Sequence, residues 1–209
     1  MFSDKARSLT QSSVTRLAAI AQLTGVTPNM ITVIGCAFMC YIGYLVSQGH
    51  LALGGFLIIV AGGFDALDGA LARHTNTVSK FGGFLDSVTD RYAEFAIFAG
   101  LLHYLIEQKY PVLPSIYLIL FGFLGSVMVS YNRARAEGLG FECKGGWFSR
   151  FERLVVMVAG LMLTHFFGDI SAIVAFTILA VFANITALQR IYLVKEADSD
   201  QKTPVVSRK

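Results

Sequence analysis

Charge is what this 209-residue chain has least of: 15% of its residues are charged and 55% are hydrophobic, at a mean hydropathy of +0.60. So small a charged fraction excludes an ordinary soluble domain and predicts several membrane spans. Cysteine is scarce too. Cys36, Cys40 and Cys143 cannot build a disulfide framework, and the first two lie one helical turn apart in an apolar run, which predicts packing roles. The four histidines are scattered without ligand spacing, which argues against a histidine metal site. Met1 to Gln22 lacks the compact apolar core and cleavage site of a secretory signal, and no repeat or low-complexity segment occurs.

What is present in abundance is apolar length. Six stretches, at residues 29–47, 51–72, 82–106, 110–131, 154–168 and 170–194, are each about long enough for a tilted span. The expected fold is therefore an all-α integral membrane protein with six transmembrane helices over residues 25–194. Ahead of them, Phe2, Ala6, Leu9, Leu17, Ile20 and Leu23 share a helical face, so residues 1–24 are expected to form an interfacial amphipathic helix. Thr27-Pro28-Asn29 marks the turn into the first span, since proline suits a first helical turn. Residues 195–209 read as a soluble, disordered tail. With six spans, both termini fall on one side, and of the 17 lysines and arginines all but Lys109 fall there as well. By the positive-inside rule that side is cytoplasmic.

Inside this apolar chain stands a polar run that needs explanation: Asp65, Asp68, Gly69, Ala72, Arg73, Gly82, Asp86 and Asp90. Carboxylates are costly at membrane depth and require a partner for their charge. Asp65 with Asp68, and Asp86 with Asp90, are spaced to share a helix face, so two neighbouring helices would present four carboxylates near the cytoplasmic end. Hard divalent cations with oxygen ligands are the expected partner, Mg2+ above all. Gly69 and Gly82 clear bulk for a large ligand. A motif of ion-paired helix packing is a poor alternative, because Arg73 and Arg91 cannot balance four aspartates and Glu94. A cation-coupled transporter is the serious competitor, but acids gathered at one membrane end favour an interfacial enzyme.

The run Asp-x2-Asp-Gly-x2-Ala-Arg-x8-Gly-x3-Asp-x3-Asp resembles the signature of the CDP-alcohol phosphotransferase family, without a departure. The resemblance implies an enzyme of phospholipid biosynthesis with six transmembrane helices, two bound metal ions (Mg2+, with Mn2+ as the alternative), a cytoplasm-facing site in the cell membrane and a homodimer. It implies that Asp65, Asp68, Asp86 and Asp90 ligate metal, that Asp90 is also the general base, and that Gly69, Ala72, Arg73 and Gly82, with Asp68, hold the CDP-lipid donor.

A second polar constellation runs from Ser130 through Arg133, Ala134, Arg135, Ala136 and Glu137 to Arg150, Glu152 and Arg153. Guanidinium groups bind phosphate oxygens in pairs, so these residues predict an acceptor that carries its own phosphate. Together with Gln189-Arg190, and with Thr27-Pro28-Asn29 through Thr32, they resemble the branch that makes phosphatidylinositol phosphate and archaetidylinositol phosphate. That likeness implies transfer from CDP-diacylglycerol or CDP-archaeol to inositol 3-phosphate. Asn29 and Thr32 would then flank the nucleotide, and Ser130, Arg133, Arg153 and Arg190 would hold the acceptor phosphate. Arg133 stands where relatives often carry lysine. The alternatives are glycerol 3-phosphate as acceptor, giving phosphatidylglycerol phosphate, and the transporter; no nucleic-acid partner is expected.

Overall fold

The computed structural model describes residues 22–202 except Thr24 and Lys144, and every regular element among them is a helix. Seven helices succeed one another among these residues: α1 (Pro28–Ser47), α2 (Leu51–His74), α3 (Lys80–Glu107), α4 (Val112–Gly138), α5 (Arg150–Met162), α6 (Thr164–Phe167) and α7 (Ile170–Lys202). The expected interfacial helix over residues 1–24 lies almost wholly outside the described residues.

Helix ends are set by local chemistry. Thr27 caps α1 by accepting from the Met30 N–H at 3.3 Å, and Pro28 occupies the first turn, where no amide donor is needed. Each of α1 to α4 closes in the same way. A residue in the left-handed region (Gly49, Asn76, Lys109, Gly140) lets the next N–H reach back five residues: His50 to Leu45, Thr77 to Ala72, Tyr110 to Leu105 and Phe141 to Ala136. The turns joining α1 to α2, α2 to α3 and α3 to α4 are consequently short.

Two compact units divide the chain between Tyr104 and Leu105. In the first, α1 lies along α2, and α1 and α3 meet at small residues. A Cβ on Gly43 would collide with the Ala96 carbonyl, and one on Gly100 with the Gly43 carbonyl. Such backbone contact is how helices associate where lipid weakens the hydrophobic drive. In the second unit α4 and α5 both pack on α7. Asn184 of α7 donates to the Phe121 carbonyl of α4 at 2.9 Å, the cross-helix bond expected of an amide in apolar surroundings. Large apolar side chains such as Tyr44, Phe56, Tyr117, Phe121 and Leu188 are more than half exposed, as suits a lipid-facing surface.

The structure bears out the all-helical expectation and four of the expected spans, and departs from the expected tail. Only four helices among the described residues are long and apolar enough to cross a bilayer: Pro28–Ser47, Leu51–His74, Val112–Gly138 and Ile170–Ser199. Helix α3 misses because its length includes Lys80, Asp86, Asp90, Arg91, Glu94 and Glu107. The expected span over residues 154–168 is broken. Helix α5 stops at Met162 after 13 residues, about 20 Å by helical rise, and the short α6 ends at Gly168. At the other end, the tail expected to be disordered from residue 195 stays helical through Lys202, with the Ser199 hydroxyl bonded to the Lys195 carbonyl at 2.9 Å. A helix already nucleated in the span propagates into polar residues at little cost.

Candidate active site

The acidic residues occupy the last three turns of α2 and the first three of α3, joined by the turn Thr75 to Ser79. That turn is rigid. The Thr75 hydroxyl donates to the Leu71 carbonyl at 2.8 Å and lies 2.7 Å from that of Thr77, while the Ser79 hydroxyl accepts from the Gly82 N–H at 3.0 Å and so caps α3. It holds Asp65, on α2, beside Asp86 and Asp90, on α3. Carboxylate oxygens of these three lie within 4.8 Å of one another. Three oxygen donors around one point form the donor set of a hard divalent cation. Arg91 supplies a local countercharge, with its Nη2 3.2 Å from Asp90 Oδ2.

Asp68, expected among the metal ligands, is not part of this trio. It is buried and accepts a hydrogen bond from Thr32 Oγ1 of α1 at 2.6 Å. Helical geometry explains the split: three residues turn about 300° around the axis, so Asp68 points about 60° away from Asp65. It lines a cavity of about 210 Å³ that opens beside the trio and shares Asp86 with it.

Asn29, Thr32, Asp68, Gly69, Ala72, Arg73 and Gly82, every residue expected to hold the donor, line this one cavity. Both glycines are there for space. A Cβ on Gly69 would stand 3.3 Å from Arg73 Nη1, and one on Gly82 would press on Ser79 Oγ at 3.2 Å and Asn29 Oδ1 at 3.3 Å. Arg73 therefore lays its guanidinium over Gly69. The wall also contains Pro28, Thr77, Val78, Ser79 and Gly83, which were not among the expected donor residues. Ser79 had a readable signal, a serine directly before a helix start; Thr77 and Val78 sit inside the unspecified gap of the motif.

The residues expected at the acceptor phosphate belong to the second unit. Arg153 is 3% exposed and Arg190 4%. Arg190 sends Nε to the Gly145 carbonyl at 3.0 Å and Nη1 to that of Val129. Ser130 is half-buried, its hydroxyl 3.5 Å from the Ser126 carbonyl. Arg133 is exposed and pairs with Glu137 one turn on, at 2.8 Å. Two buried arginines in an apolar chain are the informative pair, because each must be offset by something anionic or by oriented carbonyls.

A membrane-helical chain whose carboxylate trio could hold a divalent cation, beside a glycine-lined cavity, has the parts of an enzyme acting on a phosphate-linked lipid. The chain belongs to the CDP-alcohol phosphatidyltransferase family, whose sequence model matches residues 25–189. It is 34% identical over 181 residues to the phosphatidylinositol phosphate synthase of Mycobacteroides abscessus, covering 86% of this chain and 82% of that one. It is 34% identical over 194 residues to the archaetidylinositol phosphate synthase of Pyrococcus horikoshii, covering 92% and 96%. Among solved structures it resembles the phosphatidylinositol phosphate synthase of Mycobacterium tuberculosis. The form with CDP-DAG bound superposes with a TM-score of 0.80 at 31% identity, over 87% of this chain and 92% of that one. The form with manganese and citrate gives 0.80 at 30%, over 94% and 92%.

Proposed function

We propose that the chain transfers the phosphatidyl group of CDP-diacylglycerol, or the corresponding group of CDP-archaeol, to inositol 3-phosphate, with release of CMP. The observation that carries this reading is the single cavity lined by all seven expected donor residues, with the carboxylate trio at its edge. The relatives are synthases of phosphatidylinositol phosphate and archaetidylinositol phosphate, which supports the same acceptor over glycerol 3-phosphate.

Each residue then has a task. Gly69 and Gly82 leave the room in which the cytidine diphosphate lies. Arg73 pairs with its phosphate oxygens, and Asn29 and Thr32 close the nucleotide side. Asp65, Asp86 and Asp90 fit a divalent cation, with Asp68 available to a second, Mg2+ or Mn2+. Such ions, when bound, neutralise the pyrophosphate charge as its bond breaks. Asp90 accepts the proton of the attacking inositol hydroxyl as its oxygen bonds to the phosphatidyl phosphorus and CMP departs. Arg153 and Arg190, with Ser130 and Arg133, hold the acceptor phosphate.

The proposal extends to the membrane. Helix α3, at 28 residues, and α5 with α6 complete a six-span protein in the cell membrane, with both termini and the site cytoplasmic and a homodimer as the assembly. Metal-dependent turnover tests the chemistry. CMP release from CDP-diacylglycerol and inositol 3-phosphate is expected to vanish with EDTA and to return with Mg2+ or Mn2+. Solute uptake without CMP release would point to the transporter instead.

A further inference from the structure

The segment between α4 and α5 is fixed to α7 by three side chains on one helical face. Thr186 Oγ1 accepts from the Phe148 N–H at 3.2 Å, Gln189 Oε1 accepts from the Trp147 N–H at 3.3 Å, and Arg190 Nε donates to the Gly145 carbonyl at 3.0 Å. Positions 186, 189 and 190 are spaced so that all three lie side by side. The approach is close. Gly146 has φ 124°, and a Cβ there would stand 2.7 Å from Thr186 Cγ2, so only glycine lets the backbone lie against the threonine. Phe148 adds a ring contact with Phe182 of α7, centroids 5.8 Å apart, and packs on Val129, Ala183 and Ala187.

The pinned segment runs directly into the helix that carries Arg153. Ser149 is the N-cap of α5 and its hydroxyl bonds the Glu152 carboxylate, so the α5 cap comes one residue after Phe148. Arg153 lies on the first turn of that helix, its N–H bonded to the Ser149 carbonyl at 3.2 Å. Wherever residues 146–148 are held, Arg153 is held one turn later. Thr186 is itself 1% exposed, so its hydroxyl is withdrawn from solvent and serves the chain's own backbone.

We infer that Thr186 and Gln189 are positioning residues for the acceptor: they register the 146–148 backbone on α7 and so set where Arg153 and Arg190 meet the acceptor phosphate. Neither touches substrate. The inference rests on the acceptor role proposed above for the two arginines.

The test separates acceptor from donor. Thr186→Val keeps the side chain's shape and removes the hydroxyl, leaving the Phe148 N–H without its acceptor. KM for inositol 3-phosphate is expected to rise about fivefold, while KM for CDP-diacylglycerol stays within about twofold. Thr186→Ser, which keeps the hydroxyl, is expected to restore the acceptor KM. Gln189→Met, which keeps the chain's length and removes its amide, is expected to raise it about two- to threefold, and decides the matter alone should Thr186→Val fail to fold. An unchanged acceptor KM, an equal rise for both substrates, or serine behaving like valine overturns the inference. A wild-type protein without turnover on inositol 3-phosphate counts against the proposed function, not this one. The same KM comparison is then read with glycerol 3-phosphate.

Discussion

Thr32 Oγ1 donates to Asp68 Oδ2 across 2.6 Å, tying α1 to the acidic end of α2. The bond places a buried carboxylate on the wall of the proposed donor cavity, apart from the trio of Asp65, Asp86 and Asp90. Because a hydrogen bond to a charged group is worth about 1.5–3 kcal/mol, Thr32→Val is expected to raise KM for CDP-diacylglycerol about tenfold or more. Initial-rate kinetics with each substrate varied in turn check this. An unchanged donor KM would mean that Asp68 needs no support from α1.

Asp90 stands in the trio on α3 with Arg91 beside it. Replacement by asparagine keeps the shape and removes the proposed base. Asp90→Asn is expected to lower kcat at least about 10²-fold, with the elution profile and melting temperature in detergent close to wild type. Normal turnover by a purified, folded Asp90→Asn protein would remove this residue from the chemistry.

Arg153 is expected to matter to one substrate only. Truncation to alanine deletes a buried guanidinium, and KM for inositol 3-phosphate should rise about tenfold or more while KM for the CDP-lipid changes little. Equal effects on both substrates would show that the arginine supports the fold as a whole.

The crossing of α1 and α3 at Gly43 gives a stability test away from the site. A methyl group there meets the Ala96 carbonyl, which belongs to a helix backbone and cannot step aside. Gly43→Ala is therefore expected to destabilise the protein by about 1–3 kcal/mol, read as a lower melting temperature in detergent. Gly62 has open space at the same atom, so Gly62→Ala is the control, expected to melt with the wild type.

The sequence was most legible where chemistry forces a residue type. Carboxylates in an apolar chain singled out Asp65, Asp68, Asp86 and Asp90, of which Asp65, Asp86 and Asp90 converge, and Gly69, Arg73 and Gly82 between them line one cavity. Thr27 and Pro28 announced the start of α1. Three-residue spacing, by contrast, could not say which way each carboxylate turns, and Asp68 is claimed by Thr32, 36 positions away. Hydropathy placed the apolar stretches but not the break at Met162 or the polar helix beyond residue 194, because helix ends depend on caps and on propagation. Nothing in the spacing of Thr186, Gln189 and Arg190 announced that their partners would be the backbone of residues 145–148.

The most direct measurement is CMP release by the purified protein with CDP-diacylglycerol and Mg2+, comparing inositol 3-phosphate with glycerol 3-phosphate. Release with inositol 3-phosphate, and background alone with glycerol 3-phosphate, is the expected result, CDP-archaeol replacing the donor if diacylglycerol is refused. Release with glycerol 3-phosphate alone would contradict the acceptor assignment while leaving the aspartate site in place.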